Sequence, residues 1–343
     1  MELVKLMSEP EYRQVNAISY SMLSGVDKTP ASLINTEKFS SPALTYGSAV
    51  DTYVFDGEEE FKKKFTVNTG ESPSWKVEQI MTDIIKSITT QKGALAGELD
   101  EYETLILATA LAHEYGKGWK PETITRKILD EGGRDMFNFM RDNVGKQILS
   151  TDQYENVLNS ANTLFTHDFS RKWITADENQ EIHYQFPILW NWKGKPCKSL
   201  FDIIKIDHKE KVIYPIDLKT TGDHVLGFAS SFVKWKYYLQ ASFYTEALKY
   251  FKLENEELFD YRVDIFRFLI ISSGDPRKPL VYETTENDLF VGKNGGSLRY
   301  NSNEVRGFDK IIEDMEWHMG NQLYDYPRNV YESDGILTLD VFN

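Results

Sequence analysis

The stretch CKSLFDIIKIDHKEKVIYPIDLKTTGD, residues 197–223, decides the fold. Two apolar runs flank the polar segment HKEK, and strand side chains alternate between faces, so the stretch reads as a β-hairpin. In its second arm Ile216 and Leu218 share one face, and Asp217 and Lys219 the other. In its first arm, roughly Cys197 to Ile206, Asp202 falls on the alternating stripe of Leu200, Ile204 and Ile206, a carboxylate among core residues. Burying an unpaired carboxylate is expensive, so Asp202 must meet a lysine or a metal. If the arms pair, Asp202 and Asp217 converge, and two carboxylates in one place repel unless a divalent ion lies between them.

Hard oxygen ligands from two carboxylates suit Mg²⁺ or Mn²⁺, which keep water in their other positions. The chemistry that uses such a pair beside a lysine is metal-assisted hydrolysis of a phosphodiester. Lys219 can orient or deprotonate the water and offset charge on phosphorus. The bland alternative for these three residues is a buried Asp–Lys ion pair with no function.

Upstream of the hairpin, EIHYQFPILW (residues 181–190) alternates polar with apolar, and Asn191 to Lys195 makes a turn, so three strands form a meander. Downstream the pattern predicts a long amphipathic helix over Phe228 to Phe251, a strongly apolar strand over Arg262 to Ser272, a shorter one over Leu280 to Thr284, and a helix around Val305 to Met319. The residues GKNGGS at 292–297 read as a mobile loop. The order β-β-β-α-β predicts an α/β (α+β) fold with a mixed central sheet flanked by helices. Near the N-terminus, Thr29-Pro30 and Ser41-Pro42 each place a capping side chain before a proline, so two helices start there, the second running to about Phe55 and closed by the charged patch Glu58 to Lys64. The loop expected around TVNTGESPSW (66–75) precedes a segment of helical spacing from Val77 to Phe169. The expected organisation is a mainly helical region 1–175 and a core 176–343, continuous as one structural domain.

The chain of 343 residues carries 39 Lys+Arg against 53 Asp+Glu, a net charge of −14 that argues against a protein coating nucleic acid. The one basic region, Trp190 to Lys252, has eleven lysines against six acids and contains the hairpin. Its single cysteine, Cys197, excludes a disulfide framework and a cysteine-ligated iron–sulfur cluster within one chain. The start, MELVKLMSEPEYRQ, lacks an apolar stretch long enough for a signal peptide, and no run approaches a membrane span, so the expected location is cytoplasmic. No H-E-x-x-H, G-x-x-x-x-G-K-(S/T) or G-x-S-x-G motif is present.

An aspartate fifteen positions before a D-x-K strand resembles the PD-(D/E)xK nuclease superfamily. The details are similar to its RecE-like branch, the exonuclease VIII type related to the RecB nuclease domain and lambda exonuclease. WKYYLQASFYTEAL matches that branch's Q-x-x-x-Y helix with Gln240 and Tyr244, and ISYSMLS, TPASL and ALTYGSAVD look like its N-terminal helical signature. The resemblance implies a Mg²⁺-dependent exodeoxyribonuclease that resects linear duplex DNA for recombination, phage- or prophage-encoded, forming a ring around DNA and partnering a single-strand annealing protein. It implies Asp202, Asp217 and the carbonyl of Leu218 as metal ligands, Lys219 as the catalytic lysine, Glu181 as a further acid reaching the metal, and Gln240 and Tyr244 facing the site. Where many relatives carry G-x-x-x-H this chain reads Gly47 to Asp51, so an aspartate stands in the usual histidine's place, adding an oxygen ligand and a negative charge. Lys198, Lys234 and Lys236 are candidate DNA contacts, the last two interleaved with Trp235, Tyr237 and Tyr238 in a pattern that suits single-stranded or frayed DNA. The alternatives are a structure-specific endonuclease on the same core and a defunct DNA-binding or assembly module.

Overall fold

The computed structural model describes residues 7–35, 41–68, 73–298 and 304–339. The chain forms two compact units, one made of Met1–Phe55 with Val157–Asn343 and the other of Asp56–Asn156.

The larger unit opens with helices α1 (Glu9–Gln14), α2 (Tyr20–Lys28) and α3 (Pro42–Asp51). Ser41 caps α3 as expected, its hydroxyl accepting the Leu44 N–H at 3.3 Å, with Pro42 in the first turn. The Thr29-Pro30 signal produces only a short 3₁₀ turn, Pro30–Leu33, because no side chain caps it. α3 ends at Asp51 and widens into a π-helical turn, Thr52–Asp56.

A five-strand path forms the sheet: β1 (Gln180–Trp192), β2 (Lys195–Asp207), β3 (Val212–Thr221), β4 (Arg267–Ser272) and β5 (Leu280–Glu283), neighbours in that order, with the two-residue strand Arg262–Val263 also on β3. Pairs β1–β2, β2–β3 and β4–β5 are antiparallel and β3–β4 is parallel, so the sheet is mixed, as the order of elements implied. The β1–β2 turn is two residues, Lys193 (φ 50°) and Gly194 (φ 85°), the left-handed pair that matches strand twist, and Asn191 Oδ1 accepts the Gly194 N–H at 2.7 Å. The parallel connection runs through α4 (Phe228–Lys234) and α5 (Tyr237–Leu253). These replace the single long helix expected there: Lys236 sits at φ 59°, and that left-handed residue breaks the helix.

Strict alternation along β1 and β2 also fails at one place. Cys197 and Phe201 on β2 line the same core as Ile204 and Ile206, so the inward face changes parity across Asp202. Directly opposite, Gln185 sits at φ 47° and is the one position skipped in the β1–β2 register. Asp202 is thereby lifted off the stripe of Ile204 and Ile206 on which the sequence seemed to place it. The core beneath is built from that face and α5, with Phe243, Ala247 and Leu248 against Phe186, Trp190 and Phe266. The expected loop at 292–297 starts inside helix α6 (Glu286–Asn294), where a β-carbon on Gly292 would lie 2.1 Å from the Tyr238 carbonyl oxygen of α5. The C-terminal helix α7 is Phe308–Asn321.

The smaller unit is a helical cluster whose longest helices are Trp75–Lys92 and Glu103–Ala112, around Ile80, Ile84, Ile106 and Phe137. The charged patch Glu58–Lys64 is itself a helix, with Lys62 on Glu58 one turn away at 2.6 Å. Phe65–Asn68 pairs in parallel with Gln147–Ser150, and residues 69–72 of the loop expected after it lie outside the described residues. Among the described residues no helix is long and apolar enough to cross a membrane.

Candidate active site

The β2–β3 ladder runs from Asp207 opposite Val212 to Ile203 opposite Ile216 and stops there. One residue beyond, the Asp202 side chain enters the space between the strands. Its Oδ2 accepts the backbone N–H of Leu218 at 2.9 Å, and its Oδ1 accepts Gln185 Nε2 at 3.2 Å. The irregular backbone at Gln185 therefore has a local use, since it aims the amide that holds Asp202. Asp217, only 2% exposed, comes from β3. Its Oδ1 accepts Gln240 Nε2 at 2.6 Å and its Oδ2 faces Lys219 Nζ in an ion pair.

Helix α5 covers this face. Gln240, buried, turns its amide to Asp217 while its Oε1 has no hydrogen-bond partner among the described residues. Tyr244, one turn on, packs its ring 4.8 Å from that of Phe201. Burial pushes the Tyr244 hydroxyl well above the usual tyrosine range, with the Tyr12 hydroxyl and the carboxylates of Asp217 and Asp202 adding to it. Tyr237, at the start of α5, lies under Lys219, whose Nζ is 5.2 Å from the ring centroid. Tyr20 on α2 donates to the Trp235 carbonyl at 2.9 Å. Its buried hydroxyl is raised above the usual range and senses the charges of Lys219 and Asp217.

Burial raises Asp202 well above the ordinary carboxylate range, and the charges of Asp217 and Asp51 push it further, against Lys219 and the Leu218 N–H. Burial alone would lower the Lys219 ammonium, but Asp217 and Asp202 outweigh it and hold it above the usual lysine range. Lys219 is thus a fixed positive charge while both acids are ionised.

α3 brings up Asp51. It approaches β3 at Gly47, where a β-carbon would lie 2.9 Å from Thr220 Oγ1, and Asp51, one turn on, is close enough to act electrostatically on Asp202. Asp202, Asp217, Lys219, Gln240, Tyr244 and the backbone of Leu218 are therefore brought together, with Asp51 as a neighbouring charge. Glu181 is not in that group. It pairs across from Ile206, four residues along β1 from Gln185 and thus ~13 Å away along the strand, and meets His183 and His208 at 3.2 Å each.

Lys198, read as a DNA contact, is buried, and its Nζ donates to the carbonyls of Tyr12, Arg13 and Val15 at the end of α1. Those acceptors occupy its three donors, and burial lowers its pKa. Lys236 pairs with buried Asp27. Lys234 is exposed, its Nζ 4.9 Å from the centroid of the Trp235 ring, which is itself 54% exposed. Sequence reasoning did not assign Gln185, Tyr237 or Tyr20 to the site. Gln185 stood only as a polar position in the alternation of residues 181–190, Tyr237 only as an aromatic interleaved with Lys234 and Lys236, and Tyr20 only within ISYSMLS.

Among the described residues no group of three or more His, Cys, Asp or Glu side chains is arranged to hold a metal ion. Mg²⁺ does not require one, since it is bound through one or two carboxylates and keeps several waters. The donor set of Asp202 and Asp217 fits that ion. The unsatisfied Gln240 Oε1 and the raised Asp202 are what an ion or its water would relieve.

No family model and no curated protein matches the chain. Among solved structures, a crystal structure of a protein named "Putative exonuclease" from Eubacterium rectale aligns over 80% of this chain and 92% of that one, at 10% identity and a TM-score of 0.31. A likeness that weak carries neither fold nor function to this chain.

Proposed function

We propose that this chain is a metal-dependent deoxyribonuclease that hydrolyses phosphodiester bonds, acting as an exonuclease on the ends of linear duplex DNA. The observation that carries the reading is the meeting of Asp202 and Asp217 beside Lys219, where burial and mutual repulsion leave Asp202 disfavoured as an anion. A structural ion pair would need only one acid.

In this reading Asp202, Asp217 and the carbonyl of Leu218 would hold Mg²⁺. Bound there, the ion would offset the acids' charge and make a water acidic enough to attack phosphorus. Gln240 fixes Asp217 through Oδ1, and Oδ2 faces the Lys219 ammonium. Lys219 keeps a proton on Nζ and sets positive charge where the phosphate gains negative charge. Tyr244 closes the apolar floor and helps exclude water from the carboxylates. Asp51 in the usual histidine's position adds negative charge beside Asp202 and strengthens the demand for a cation.

The test is incubation with Mg²⁺ and either linear or covalently closed circular duplex. Loss of the linear form alone, abolished by Lys219→Ala and Asp217→Ala, is the expected result. Cutting of the circle assigns endonuclease action instead. Survival of both forms, or variants as active as wild type, overturns the assignment.

A further inference from the structure

We propose that Tyr237 is a positioning residue whose ring face holds the Lys219 ammonium against Asp217, and, if the nuclease reading above is right, at the reacting phosphate. Lysine is a flexible chain ending in a compact charge, and Asp217 restrains it from one direction only. The second restraint is the Tyr237 ring, whose centroid lies 5.2 Å from Nζ, within the range over which an aromatic quadrupole attracts a cation.

The ring is itself held. Phe228 stacks on it at 5.7 Å with an interplanar angle of 16°, and Phe268 packs at 5.6 Å. The backbone entering it is anchored on both preceding residues. The Trp235 carbonyl accepts the Tyr20 hydroxyl at 2.9 Å, and Lys236, in its left-handed conformation, pairs with Asp27. Asp27 is in turn fixed by Arg306 Nε at 2.6 Å. A break in a long helix is thus tied down at each residue, and its outcome is the direction of one ring. Because the contact is made by the ring face, phenylalanine should serve as well as tyrosine.

The experiment compares wild type with Tyr237→Phe, Tyr237→Leu and Tyr237→Met, each checked for native melting, in two readouts. In hydrolysis of linear duplex with Mg²⁺, Leu and Met should lower kcat about tenfold with KM unchanged, and Phe should stay within about twofold. In reductive methylation by formaldehyde without DNA or metal, read at Lys219 by peptide mass spectrometry, Leu and Met should label about threefold or more faster than wild type and Phe. Phe as impaired as Leu, or equal labelling in all four proteins, overturns the proposal while leaving the nuclease reading intact. If wild type digests no DNA, the nuclease reading fails and the labelling comparison alone decides the role of Tyr237.

Discussion

Asp202 is the residue at which stability and proposed function oppose each other. Its carboxyl binds a proton more tightly folded than unfolded, so its ionised form at neutral pH costs stability. Asparagine keeps an oxygen for the Leu218 N–H and removes the charge. Asp202→Asn should therefore stabilise the metal-free protein by roughly 1–3 kcal/mol, a rise of a few degrees in melting temperature in EDTA. If the proposed site takes Mg²⁺, the ion should raise the melting temperature of wild type and not that of the variant. A lower melting temperature in EDTA would show that the ionised Asp202 is stabilising as it stands. Lys198 makes the opposite case, a charge first read as functional that serves the fold. Lys198→Ala removes a donor from three carbonyls at the end of α1, of which only that of Tyr12 keeps the Val15 N–H, and should cost roughly 1–3 kcal/mol in urea unfolding, with DNA affinity unchanged.

Between elements, the site depends on how closely α5 is pressed by its neighbours. Gly292 lets α6 lie on α5 where a β-carbon would meet the Tyr238 carbonyl oxygen at 2.1 Å and Ser242 Cβ at 2.7 Å. Backbone on both sides must move to admit a methyl group, so Gly292→Ala should destabilise by roughly 1–3 kcal/mol, seen as a lower urea midpoint. Because Tyr238 lies between Tyr237 and Gln240, the same variant should lower activity, whereas Gly194→Ala, in an exposed turn, should change stability with activity retained. These elements differ in how plainly the sequence shows them. The hairpin over 197–223 is legible because a two-residue period and a polar turn coincide. The parity change at Asp202 is not, because Gln185 takes a left-handed conformation without the glycine that would announce it. The helix break at Lys236 is hidden for the same reason. Gln240 and Tyr244 could be read because helical spacing puts them on one face, while Glu181 shared only a strand, and strand separation carried it away from Asp202.

Across the whole chain the question is how, on the proposed nuclease reading, a protein of net charge −14 would meet DNA. The basic region suggested a lysine-rich contact surface, but most of its lysines have partners. Lys193, Lys195, Lys211, Lys236 and Lys249 pair with Asp309, Glu316, Asp260, Asp27 and Glu246, and Lys198 and Lys205 donate to backbone carbonyls. All of those acids but Glu246, which lies one turn from Lys249 on α5, are far away in sequence, which is why a count of charges could not reveal most of these pairs. Few lysines, exposed Lys234 among them, are left to displace counterions from phosphate. Each neutralised phosphate contributes about −0.9 to the slope of log K against log salt, so a single chain should give a slope no steeper than about −3. Fluorescence anisotropy of a labelled duplex in EDTA, titrated from low to moderate salt with light scattering alongside, measures slope and assembly together. A slope near −6 or beyond from a monomer would mean that the internal ion pairs open on DNA, and the same slope from an oligomer would mean that several copies share one duplex, as a ring requires.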